Sequence, residues 1–134
     1  MAAEGNRIII ASDGDVVAAR QTGREVAALS GFKGSDLTLI ALAISEIARN
    51  IVSYAGRGEV DISSIQANGR RGILIVAQDA GPGIPDLDNA MQDGYSTQKS
   101  LGLGLPGAKR VMDDFEITSK VGIGTTVKMR KWLQ

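Results

Sequence analysis

Apolar positions along the chain change period several times, and the changes divide it into elements. "RIIIAS", residues 7–12, is a short apolar burst that reads as an opening strand. From about Asp15 to Ser30 the spacing becomes helical, with Val16, Ala19, Gly23, Val26, Ala27 and Leu29 on one stripe. Ser12 or Asp13 can cap this helix, and Gly31 ends it. Ser35 caps a second helix, from about Asp36 to Ala55, whose core stripe is Leu37, Ile40, Ala41, Ile44, Ile47, Ala48 and Ile51. Gly56 and Gly58 stop it. The period then shortens. "EVDISSIQ" alternates and "GILIVAQD" is continuously apolar, and between them Asn68-Gly69 is a strong hairpin signal.

Beyond Asp79 the pattern loosens. A short helix is expected from about Asp86 to Met91, and Gln92 to Leu101 has no apolar period and reads as mobile. "LPGAKRVMDDF" predicts a third major helix with Pro106 in its first turn. "EITSK" and "TTVKMRKW", joined by "VGIG", close the chain as two strands. This order predicts one domain, residues 1–134, built as an α/β two-layer sandwich. Its mixed, largely antiparallel sheet is covered by helices on one face.

Composition narrows the chemistry. The 134 residues carry 15 basic and 15 acidic side chains, so no global field draws in nucleic acid or anionic lipid, and neither is an expected partner. There is no cysteine and no histidine, which excludes thiolate chemistry, a His base, a His metal ligand and a phospho-histidine. The N-terminal apolar run is too short for a signal peptide or a membrane span, and the chain reads as soluble and cytoplasmic. Glycine is in excess, 17 residues against a usual ~7 %, and eight of them fall between Gly81 and Gly124.

Four short stretches hold candidate chemistry. Glu46 and Asn50 are four apart and point the same way from the second helix. A Glu on so apolar a helix lies at a cleft or is paired; taken alone, Glu46, Arg49, Asn50 and Ser53 read as a solvated stripe. "DAGPGIPD" ends a strand on Asp79 and continues through Gly81 and Gly83. An ionised Asp only accepts hydrogen bonds, so it suits the donating N6 amino group of adenine and repels the O6 of guanine. The glycines let backbone pass close to a flat base; a plain proline–glycine turn has the same letters. In "SLGLGLPGAKR", Gly102, Gly104 and Gly107 lead into a helix start, where bare amides and the helix dipole favour an anion, though a capped loop reads the same way. In "VGIGTTV", Gly122 and Gly124 turn a hairpin and Thr125 adds a hydroxyl; alone it needs no function.

In order these read E-x-x-x-N, D-x-G-x-G, G-x-G-x-x-G and G-x-G-T. The set resembles the four boxes of the ATP-binding fold shared by gyrase, the Hsp90 chaperones, histidine kinases and MutL (the GHKL or Bergerat fold). Gyrase, Hsp90 and MutL chains are far longer, and a sensor histidine kinase needs a helical domain with a phosphoacceptor His. The segments "VVAARQTGREVAA", "AISEIARNIVSYAGRGEV" and "DGYSTQKSLGLGLPGAKRVMDDF" are most similar to the small bacterial protein-serine/threonine switch kinases of the stressosome.

The resemblance implies roles. Asn50 holds Mg²⁺, Glu46 is the general base, and Asp79 takes the adenine amino group with help from Thr125. Gly81 and Gly83 flank the base, and Gly102, Gly104 and Gly107 with nearby amides meet the phosphates. Lys99, one residue out of register with the lid Arg of related kinases, could reach the γ-phosphate. The implied cofactors are ATP and Mg²⁺. The implied substrates are small STAS-domain proteins phosphorylated on Ser or Thr, and the released kinase would activate a PP2C-type phosphatase. An anti-sigma factor that sequesters a sigma subunit has the same fold and boxes. A nucleotide-binding remnant without transfer activity is a third reading, against which Glu46 and Asn50 both stand.

Overall fold

The computed structural model describes residues 5–83 and 104–133. The elements run β1 (Asn6–Ile10), α1 (Asp13–Ser30), α2 (Ser35–Asn50), a π-helical turn (Ile51–Ala55), β2 (Gly58–Ala67), β3 (Arg70–Asp79), α3 (Gly104–Val111), β4 (Asp114–Lys120) and β5 (Gly124–Trp132). The strands form one sheet in the order β1-β2-β3-β5-β4. The expected short helix at Asp86–Met91 and the stretch Gln92–Leu101 lie outside the described residues, as do Lys99 and Gly102.

Every pair among the described strands is antiparallel, so the sheet is less mixed than its strand–helix–strand order suggested. The reason lies in the crossover through α3. It brings the chain back in the direction of β3, but β4 lands one place out, and β5 returns between them. Two neighbours that would have been parallel are thereby separated.

Alternation along the strands sets the core. Val60, Ile62, Ile73, Ile75, Ala77, Val127 and Met129 are buried on the helix-covered face, against Ile40, Ile44 and Ile47 of α2. α2 lies between α1 and α3. Gly23 allows α1 to cross α2 closely, since a Cβ there would collide with Ile44. Residues Ser35–Ala55 are long and apolar enough, by length and composition alone, to cross a membrane. Here that helix is the core of the layer.

The ends follow local chemistry. The side chain of Ser12 makes no cap bond to the helix. Instead the carboxylate of Asp15 accepts from the Ala11 N–H at 2.9 Å and the Ser12 hydroxyl at 3.2 Å. At the other end Gly31 is left-handed, and the Gly31 and Phe32 N–H groups donate to the carbonyls of Ala28 and Ala27, a Schellman closure. Asn68 and Gly69 have φ of 53° and 76°, the pair of positive values a type I′ hairpin requires. α3 stops at Val111, short of the expected Phe115. The Asp113 N–H donates to the Arg130 carbonyl at 2.9 Å, and its carboxylate accepts the Trp132 N–H at 2.7 Å, so the segment joins the sheet.

Candidate functional site

A narrow cleft, open to solvent, lies between the end of α2 and the sheet. Ile47, Ile51, Ala77, Leu105, Ile117 and Val127 make it apolar, and Asn50, Tyr54, Asp79 and Thr125 supply the polar groups. Side chains from α2, the π-helical turn, three strands and α3 therefore converge on one space. A mostly apolar pocket with a few directed polar groups is the usual form of a small-ligand site.

Asp79 is held by its own surroundings. Its Oδ1 accepts the Gly81 N–H at 2.9 Å and the Thr125 N–H at 3.3 Å. Its Oδ2 takes no hydrogen bond among the described residues, and Asp79 lines the cavity, so an acceptor is left over at the site. The Thr125 hydroxyl pairs with the Ser119 hydroxyl at 2.8 Å. Thr125 thus acts on Asp79 through its backbone. The two glycine boxes meet here: a Cβ on Gly124 would collide with the backbone of Asp79 and Ala80, and the Gly122 N–H donates to the Pro82 carbonyl at 2.8 Å.

Gly81 and Gly83 have reasons of their own. A Cβ on Gly81 would lie 2.5 Å from the Ala55 Cβ, and one on Gly83 2.5 Å from the Lys120 carbonyl oxygen, with φ already at +79°. The space beside each glycine is filled by protein. Gly104 is the first residue of α3, and Gly107 is buried inside the helix rather than in the loop before it.

Asn50 closes α2. Its Nδ2 is buried and has no hydrogen-bond partner among the described residues. An amide presents a donor or an acceptor according to which end is turned, so the site holds an unmet polar group facing a ligand space. Next to it, the Gly56 N–H reaches back five residues to the Ile51 carbonyl at 2.8 Å. Such π turns are uncommon and gather at functional sites. This one brings Ala55 against Gly81 and places Tyr54 on the cavity wall.

Glu46 corrects the solvated-stripe reading. It is 1 % exposed and pairs with Arg49 at 2.8 Å, while Ser53 is exposed. It sits one turn before Asn50 but is not among the residues lining the cavity. Sequence reasoning also passed over Tyr54, Ser119, Leu105 and Ile117. Tyr54, four residues past Asn50, had a readable signal in its spacing; the other three are brought in only by strand register and helix packing.

The pattern of the histidine kinase-like ATPase domain matches residues 9–131, and the chain belongs to that family. It is 50 % identical over 125 residues to the serine/threonine-protein kinase RsbT of Bacillus subtilis (strain 168), covering 93 % of this chain and 94 % of that one. It is 32 % identical over 99 residues to the anti-sigma F factor of Thermoanaerobacter sp. (strain X514), covering 70 % and 68 %. A chain in the crystal structure of the SiaB–SiaC complex from Pseudomonas aeruginosa aligns over 98 % of this chain and 91 % of that one. Its TM-score is 0.53 at 12 % identity, a likeness of fold alone. The family and the RsbT identity together make this an ATP-binding protein of the serine/threonine-kinase kind.

Proposed function

We propose that the cavity binds Mg²⁺-ATP and that the chain transfers the γ-phosphoryl group to a Ser or Thr of small STAS-domain proteins. After release it would bind and activate a PP2C-type phosphatase, in the cytoplasm and without nucleic acid or membrane. The observation that carries this is the convergence of Asn50, Asp79 and Thr125, from three separate sequence boxes, on one apolar cavity.

Asp79 Oδ2 is proposed to accept from the adenine amino group, with Oδ1 kept in place by the Gly81 and Thr125 N–H groups. The apolar wall would bury the ring faces. Gly81 and Gly83 would form the rim by backbone alone, and Gly102 and Gly104 with the helix start of α3 the phosphate side. Asn50 fits a Mg²⁺ ligand: its buried Nδ2 has no partner among the described residues, so no protein contact there fixes the amide, whose oxygen is a hard donor. The ion, when bound, would offset charge on the transferring phosphoryl group. Glu46 is proposed to accept the proton of the substrate hydroxyl. For that the Arg49 side chain, 37 % exposed, must swing off the carboxylate. Lys99 is proposed as a cation for the γ-phosphate.

Incubation with γ-labelled ATP, Mg²⁺ and candidate STAS proteins tests the reading. Label on a Ser or Thr of a partner is expected, and label on none of them overturns it. The likeness to anti-sigma F factors favours a second reading, in which the chain sequesters a sigma subunit and phosphorylates the antagonist that releases it. A pull-down separates the two, according to whether a phosphatase or a sigma factor is retained.

A further inference from the structure

The sheet has a second face, turned away from the helices, and its charges are ordered. Val60, Ile62, Ile75, Ala77, Val127 and Met129 point into the core, so their neighbours along each strand point outward. One cross-strand row runs through all five strands. Arg7 of β1 stands opposite Asp61 of β2, Asp61 opposite Val76 of β3, Val76 opposite Lys128 of β5, and Lys128 opposite Glu116 of β4. Across the sheet the row is plus, minus, apolar, plus, minus. Turned end for end, it is its own electrostatic complement. A wet antiparallel face needs polar residues, but it needs no such order.

The two inner charges are also the unpartnered ones. Arg7 lies 3.8 Å from Glu59, and the Arg130 guanidinium donates to Glu116 at 3.3 Å. Asp61 and Lys128 are half-buried, and neither makes a hydrogen bond or an ion pair among the described residues. They stand two strands apart with Val76 between them, too far across the sheet to pair with each other. Beside Asp61 the face sinks into a shallow hollow lined by Ser63, Leu74 and Val76.

We propose that this face docks a second copy of the chain, as a two-fold dimer whose axis runs along β3. That rotation lays β2 on β5 of the other copy and β1 on its β4. Asp61 then meets Lys128 of the second copy, and Lys128 meets its Asp61. Arg7 meets its Glu116, and Leu74 and Val76 meet their own counterparts at the axis. Such an isologous contact needs only one self-complementary patch. An axis across the strands would instead set β2 on β2 and like charge on like. Five strands about 4.8 Å apart and roughly 20 Å long cover about 1,000 Å² over two copies, the low end for a specific interface. The dimer is therefore reversible, and salt weakens it. The cleft beside Asn50 and Asp79 lies on the helix side of the sheet and stays open in both copies. Nothing in this contact depends on the kinase reading above.

The test is a pair of charge reversals, Asp61→Lys and Lys128→Asp, with mass in solution followed by sedimentation from low to high micromolar concentration. The parent should dimerise, less so in high salt. Each reversal alone sets like charges together at two places, and the dimer Kd should rise at least about tenfold. Mixed in equal amounts, the two variants bring opposite charges together at both places, and the dimer should return. One chain carrying both reversals should dimerise by itself. A parent that stays monomeric overturns the dimer. Single variants that associate as the parent does, or a mixture that stays monomeric, overturn the assigned face. Circular dichroism reports whether each variant folds. If a single reversal does not fold, the chain with both decides: a dimer supports the pairing and a monomer overturns it.

Discussion

Asn50 carries a polar atom with no partner among the described residues, which separates its effect on activity from its effect on stability. Asn50→Ala removes the proposed metal ligand, yet it also removes a buried donor without a partner, so thermal stability should hold or rise slightly while transfer to a STAS substrate is lost. Unchanged phosphorylation would dismiss the Mg²⁺ role. Asp79 is informative in another way, because Oδ1 is tied to two backbone N–H groups. In Asp79→Asn those groups hold the amide oxygen, and the NH₂ is forced into the place of Oδ2. A donor then meets the donating N6 of adenine but would suit the O6 of guanine. ATP affinity should fall about tenfold to a hundredfold, and the preference over GTP should shrink. Nucleotide titration checks both, and parental ATP affinity would refute the adenine contact. Glu46→Gln keeps size and polarity in a position that is 1 % exposed. If Glu46 is the base, single-turnover transfer at saturating Mg²⁺-ATP and partner falls by ~10²–10⁴-fold with ATP binding kept. Because transfer can run largely on positioning and metal charge, the loss should sit toward the lower end. A rate within a few fold of the parent removes Glu46 from the mechanism.

At the scale of elements, the site exists because α2 changes its winding at Ile51 and because the loop after β3 lies against the β4–β5 turn. Gly81 joins these features: its missing Cβ is the space in which Ala55 of the π-helical turn sits. Gly81→Ala would overfill that contact, at a cost of about 1–3 kcal/mol. It should also push the π-helical turn off the Asp79 loop, so ATP affinity should fall together with stability. Chemical denaturation and nucleotide titration on the same variant check the pair, and a loss of stability with full ATP affinity would show that the contact does not position Asp79. These dependencies mark the limit of what the chain's letters disclose. The 3.6-residue stripe of α2, the type I′ Asn68-Gly69 and the four boxes were all legible, because each is set by neighbours in sequence. The π-helical turn was not, since residues 51–55 have an ordinary helical pattern and only Gly56 bonding to Ile51 reveals it. Nor was the burial of Glu46, which four polar letters on one helix disguised as a wet face. The place of β4 at the sheet edge, and with it Ile117 and Ser119 in the site, depends on β5 pairing with β3. The glycines of the second box were read as clearance for a base, but the atoms beside them belong to Ala55 and Lys120, which are remote in sequence.

For the whole molecule, the cavity is an opening in the one layer of core that α2 provides. Ile47 and Ile51 belong both to that core and to the cavity wall, as do Ala77 and Val127 of the sheet. A ligand that fills the opening covers apolar surface of the core itself, so binding and global stability are coupled, and the coupling can be read without any partner protein. At a ligand concentration a hundred times Kd, a ligand specific for the folded chain stabilises by about 2.7 kcal/mol. For a domain of this size, roughly 3–5 °C in Tm per kcal/mol, the midpoint should rise by on the order of 10 °C in Mg²⁺-ATP. If Asn50 supplies the metal contact, chelation should remove much of that rise from the parent and little from Asn50→Ala, whose rise in Mg²⁺-ATP is already small. If Asp79 reads the base, GTP at the same concentration should give a distinctly smaller rise, and Asp79→Asn should bring the two nucleotides together. The chain's balanced charge makes non-specific anion binding a poor source of such a shift, and inorganic triphosphate serves as the control. A rise with triphosphate equal to that with ATP would mean that the phosphates alone are held, and that the apolar cavity beside Asp79 takes no base.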